Sequence, residues 1–141
     1  MFNRTISLLI ALTAMSVIAS AQADARTTHP IDVAMDKCLA KAHATMPRAE
    51  CYATASDAWD SEVTTKYASL QKLIPAKQLP DFRASQTTWM RYRDAQFTFY
   101  QVKDGKQRGT MHISERQIER MEIVRQRALV LDSIYEEYGG K

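Results

Sequence analysis

From Asp32 to Tyr138 the apolar residues recur at steps of three and four, the spacing of one face of an α-helix. Four such stretches stand out. In the first, Val33, Met35, Cys38, Leu39 and Ala42 alternate with Lys37 and Lys41, which predicts a short amphipathic helix from Asp32 to about Ala44. Thr45-Met46-Pro47 interrupts it. Thr45 is a candidate N-cap, and Pro47 suits the first turn of a helix, where its missing N–H costs nothing. The second stretch carries Cys51, Ala55, Trp59, Val63, Tyr67, Leu70 and Ile74 on one line and predicts a long helix from about Pro47 to Ile74. Pro75 to Pro80 stops it.

The third stretch opens at Pro80-Asp81 and runs to about Lys103, with Phe82, Gln86, Trp89, Arg93, Phe97 and Tyr100 on one face. Phe97 to Tyr100 are strand-favouring residues, so its last turn is the weakest part of that helix. Residues 104–110, with two glycines and two cations, read as a loop. In the fourth stretch, Ser114 and Gln117 have the spacing of a capping box, with Ile113 and Ile118 as its staple and Thr110 as an alternative cap. Ile118, Met121, Val124, Ala128, Leu131, Tyr135 and Tyr138 continue the apolar face, and Gly139-Gly140 ends it. No stretch alternates with a period of two. The expected fold is all-α: a small bundle of about four helices, a short one followed by three long ones.

The segment before these helices has a different character. Arg4 precedes an uncharged apolar run from Ile6 to Ile18, and small residues follow at Ala21, Ala23 and Ala25. This is the three-part pattern of a cleavable secretory signal, residues 1–23 or 1–25. The run is shorter than the ~20 apolar residues a bilayer span requires, and no acylatable cysteine follows it. The expected mature domain, residues 26–141, is therefore periplasmic or secreted, with no membrane anchor after cleavage. Residues 26–30 read as a loose mature N-terminus.

Export changes how Cys38 and Cys51 are read. In an oxidising compartment two thiols facing each other across a helical hairpin form a disulfide. A metal site with the intervening His43 lacks a fourth ligand at useful spacing. The whole chain of 141 residues carries a formal net charge of +3, too little to indicate a nucleic-acid partner. No cofactor is expected.

Catalytic patterns are weak. Of the three histidines, His29, His43 and His112, the first lies in the loose N-terminus; the only two thiols are expected to be bridged, and neither a nucleophile elbow nor a phosphate loop occurs. Asp57 and Asp60, and Glu115, Glu119 and Glu122, pair one turn apart as solvated helix faces do. The cations of the second half, among them Arg116, Arg120, Arg125 and Arg127, are interleaved with acids as on a mixed soluble surface. Arg93 shares a face with Trp89, where a cation needs a carboxylate, a carbonyl or an aromatic ring as partner.

Two strings give the chain a family likeness. Cys38-Leu39, Cys51 and Ala55-x-x-x-Trp59-Asp60-x-Glu62-Val63-x-x-x-Tyr67-x-x-Leu70 form the first. Gln86-x-x-Trp89-x-x-Tyr92-Arg93-Asp94-Ala95 forms the second, with Arg127 further on. Together they resemble the LprI-like lysozyme-inhibitor domain over roughly residues 35–131. Phe97 and Met121 stand where that pattern often has a second cysteine pair, so apolar packing is expected there.

The resemblance implies a helical, exported, non-enzymatic protein that binds a protein partner, a lysozyme or another cell-wall hydrolase. It marks Trp59, Asp60, Tyr67, Gln86, Trp89, Tyr92, Arg93 and Asp94 as residues of structural or binding importance. Asp57 and Glu62, as an acidic patch, and Lys103, Lys106 and Arg108, near or in the basic loop, are candidate partner contacts. Two other roles suit a small exported scaffold. One is immunity against a toxin delivered to the periplasm. The other is an envelope protein that binds cell-wall polymer or lipid through Arg91, Lys103, Lys106 and Arg108.

Overall fold

The computed structural model describes residues 29–105 and 111–140. The expected leader, residues 1–23 or 1–25, lies outside them, as do Lys106 and Arg108. Four helices occur among the described residues: α1 (Pro30–Leu39), α2 (Thr45–Leu73), α3 (Leu79–Gly105) and α4 (Met111–Glu137). No strand accompanies them, which is the all-α bundle the spacing predicts.

The core is the seam between α2 and α4. The α2 line Ala55, Trp59, Val63, Leu70 and Ile74 meets Met121, Val124, Ala128 and Leu131 of α4, and all nine are buried in one cluster. Fully burying side chains of this size contributes about 1.5–3 kcal/mol each for the larger ones. Lys66 reinforces the seam by bonding Asp132 at 2.5 Å and lying over the Tyr135 ring. Met121 belongs to this core and Phe97 packs against it, so both are apolar contributors where the family pattern often has cysteines.

α1 is shorter than the expected Asp32–Ala44 and begins earlier. His29 is its N-cap, accepting a hydrogen bond at Nδ1 from the Ile31 N–H, and Pro30 occupies the first turn. His29 and Pro30 are thus structured, where a loose N-terminus was expected. The His29 ring also packs on Trp59, with centroids 4.1 Å apart. The Cys38–Cys51 disulfide joins α1 to α2, with Cα atoms 5.7 Å apart. Both thiols are used in this bond, so the pair with His43 is not a metal site.

Two expected caps take other forms. Thr45 is the first residue of α2, and the preceding Ala44 caps it without a side-chain bond. Ser114 lies inside the first turn of α4, and its Oγ donates to the Thr45 carbonyl at 3.0 Å instead of closing a capping box. That bond ties the start of α4 to the start of α2. The far end of α4 closes as expected. Gly139 has φ +78°, Gly140 N–H bonds Tyr135 O, and Gly139 N–H bonds Glu136 O, the paired bonds of a Schellman motif.

α3 is held differently. Gln86 is its buried residue, while Phe82, Trp89 and Phe97 are half-buried. Its ties are mostly polar or aromatic. Tyr67 stacks on Phe82 at 5.2 Å, Arg83 bonds Gln71 and Arg93 bonds Asp60, all across α2. Lys103 bonds Glu119, and Arg120 lies over the Phe97 ring, both across α4. The run Phe97 to Tyr100 stays helical.

Candidate functional site

α4 carries two inward arginines two residues apart, and they face opposite sides of the molecule. Successive residues turn by about 100°, so Arg125 and Arg127 diverge by about 200°.

Arg125 points toward α1. Its Nη2 bonds Asp32 Oδ2 at 2.8 Å, its Nε lies 3.1 Å from both Asp32 oxygens, and the guanidinium stands over the Trp59 ring at 5.5 Å. Both side chains are only 5% exposed. Hydrogen bonding to Asp32 outweighs burial and raises the Arg125 pKa above its ordinary value. Trp59 is fully enclosed, and its Nε1 has no hydrogen-bond partner. This cluster pins α1 over the α2–α4 seam.

Arg127 points toward α3. Its Nε bonds the buried Gln86 Oε1 at 3.0 Å, its Nη2 bonds Ser85 Oγ at 3.3 Å, and the guanidinium lies 5.8 Å from the Trp89 ring. No described carboxylate answers it. Burial alone acts on its pKa and pushes it down. Trp89 is flanked by a second cation, since Arg93 stands 5.2 Å from the same ring while bonding Asp60 at 2.8 Å and Asp94 at 2.9 Å. The motif residues Gln86, Trp89, Arg93 and Asp94 therefore form one network that joins α3 to α2 on one side and to α4 on the other.

Beside this network α3 and α4 stand apart. A groove of about 590 Å³ opens between them, lined mainly by apolar atoms. Trp89, Tyr92 and Tyr100 form the α3 wall, and Ile118, Ile123 and Val130 form much of the α4 wall. Tyr92 is 52% exposed and Val130 48%, more than large apolar or aromatic side chains in a closed seam would be. Burial, then Glu119, raises the Tyr100 pKa, which keeps its hydroxyl protonated to higher pH.

The other candidates are dispersed. Tyr67 stacks against Phe82 at the α2–α3 contact, away from the groove. Asp57 is exposed on α2, and Glu62 stands 4.0 Å from Lys66. Five residues apart, they differ by about 140° around the helix and form no single patch. Lys103 bonds Glu119 at 2.9 Å.

The sequence reading passed over Asp32 and treated Arg125 as a surface cation. A signal for Arg125 existed: it stands four residues after Met121 and three before Ala128, on the apolar line of α4. Asp32 had none, since its partner is 93 residues away.

Comparison with known proteins agrees with the motif strings. The family model described as lysozyme inhibitor LprI matches residues 23–131. The chain belongs to the LprI family. This LprI-family domain is also similar to the crystal structure of an uncharacterised protein from Burkholderia thailandensis, with 32% sequence identity and a TM-score of 0.75. The match covers 80% of this chain and 57% of the other, so this chain spans little more than half the length of that relative. No curated protein matches it. Within the LprI domain, the matched span takes in the Cys38–Cys51 bridge, the Asp32–Arg125 pair and the groove up to Val130.

Proposed function

We propose that the protein is an exported, non-enzymatic binding protein that inhibits a lysozyme or a related cell-wall hydrolase. The observation that carries this reading is the match to the lysozyme-inhibitor family model over residues 23–131. Several features support it. The disulfide suits an oxidising compartment. No described helix is long and apolar enough to cross a membrane. The ionisable residues of the Trp59 and Trp89 clusters are engaged in clamps between helices, the use expected of a scaffold.

A disulfide-stapled bundle presents a fixed surface and loses little entropy on binding. The partner contacts in this reading are Lys103, near the end of α3, and Lys106 and Arg108, which follow it in sequence. Cations there complement the carboxylates of a glycosidase cleft, because such enzymes work with a pair of acidic groups. Asp57 and Glu62 then serve as outlying contacts. A domain whose net charge is mildly positive gains nothing from long-range attraction to a basic lysozyme, so contact must be local.

The test is protection of cell walls from lysis. Purified protein without its leader is added to lysozymes of several types, and turbidity is followed. Dose-dependent protection is expected, weakened at least tenfold by the Lys103→Glu/Lys106→Glu/Arg108→Glu variant. Lysis that proceeds unchanged with every enzyme, while the protein is folded and oxidised, contradicts the proposal.

A further inference from the structure

Arg127 differs from the other inward-facing arginines in one respect. Arg125 has Asp32, and Arg93 has Asp60 and Asp94, but Arg127 is held only by the neutral Gln86 and Ser85. Its Nε and one N–H of Nη2 are used in those bonds. Nη1 has no protein partner among the described residues, and it is not among the fully buried polar atoms left unsatisfied. The guanidinium thus keeps a pair of donors, on Nη1 and Nη2, beyond its bonds within the protein, and Arg127 lines the apolar groove.

We propose that the α3–α4 groove binds a single-chain amphiphile with one carboxylate, its head on Arg127 and its tail along Trp89, Tyr92, Ile123 and Ile118. A planar guanidinium with two adjacent donors matches a carboxylate in a bidentate fork. The bond also restores a counter-charge to a cation that burial disfavours. The groove's volume falls within the range of small-ligand sites.

The far end sets the ligand's polarity. Glu119 and Glu122 line the α4 wall there, eight and five residues before Arg127. At 1.5 Å per residue Glu119 lies about 12 Å along the helix, the reach of a medium-length acyl chain. Lys103 bonds Glu119, and Glu122 bonds Gln126 and stands 3.9 Å from Arg125 Nη1. A second carboxylate on the ligand would have to leave water there beside two carboxylates that already have partners within the protein. The groove therefore selects one negative charge and an uncharged tail. This site is independent of which hydrolase, if any, the protein inhibits.

The test uses three ten-carbon probes that differ only in their ends: decanoate, decanol and decanedioate, each below its aggregation concentration. Binding is followed by amide shifts of isotope-labelled protein. Decanoate is expected to bind at least tenfold more tightly than either of the others, with shifts at Trp89, Tyr100 and Ile118 to Val130. Arg127→Gln, checked for its fold by circular dichroism, is expected to bring decanoate down to the level of decanol and leave decanol unchanged. Equal binding of decanoate and decanol by the unmodified protein would overturn the proposal, as would no binding of decanoate. Retention of the decanoate preference in Arg127→Gln, or shifts centred elsewhere, would overturn it too.

Discussion

Arg125 and Arg127 are the same residue, two positions apart on one helix, under opposite conditions. Arg125 meets a carboxylate 93 residues away and disappears into the structure with it. Arg127 meets an amide and a hydroxyl beside an open groove. On the first side α1 is closed over the α2–α4 seam by an ion pair, a disulfide and the His29–Trp59 contact. On the second side α3 is attached by polar and cation–ring contacts and leaves large side chains exposed. The molecule thus joins a closed half to an open one, and α4 belongs to both. A buried ion pair is a weak source of net stability but is costly to break, so the closed half is where damage to one partner shows most.

The sharpest way to break this contrast is to replace each arginine in turn. Arg125→Met strands the Asp32 carboxylate and is expected to cost about 3–5 kcal/mol in urea unfolding. Arg127→Met strands only the Gln86 carbonyl oxygen and removes a desolvated charge, so about 1–2 kcal/mol is expected. Equal losses would erase the distinction.

Core truncation sharpens it further. Leu131→Ala, at the fully buried seam, should cost about 2–5 kcal/mol, whereas Val130→Ala on the groove wall should stay within about 0.5 kcal/mol. Removing the bridge with Cys38→Ser/Cys51→Ser should cost about 2–4 kcal/mol and loosen α1 first, seen as faster amide exchange in residues 30–39.

The smallest effect is with pH. The Asp132 hydrogen bond raises the Lys66 pKa above 10.5 in the folded protein. Its contribution is complete below the unfolded value and is lost as pH rises through the folded one. Stability should therefore decline from about pH 10.5 upward. Lys66→Met should flatten that part of the curve, measured as the urea midpoint against pH.

The closed half was legible in the sequence to the extent that its contacts are periodic. Steps of three and four placed Trp59, Val63 and Leu70 on one line and Met121, Val124, Ala128 and Leu131 on another, and these lines form the core. The cysteines announced the α1–α2 link. The ion pair beneath it was not legible, because periodicity says nothing about which of many charges meets Asp32 across the fold. The start of α1 was missed for a similar reason: His29 gains its place from a capping bond and from Trp59, neither of which leaves a pattern.

The open half was legible in its motif but not in its shape. Gln86, Trp89 and Arg93 were marked by family likeness, and the periodicity put them on one face. That Trp89 stands between two guanidinium groups depends on how α4 lies beside α3. Among the described residues Tyr92, Tyr100, Ile118 and Val130 meet no third helix, which leaves the groove open, a tertiary fact with no local signature.

The most direct test of the division into two halves is native-state hydrogen exchange resolved to single amides. Amides of residues 55–70 and 121–131 are expected to exchange only through global unfolding, while those of residues 89–103 exchange through a smaller, separate opening of α3. Exchange of all three segments with one common free energy would contradict it, because α3 would then be as firmly built into the core as α2 and α4.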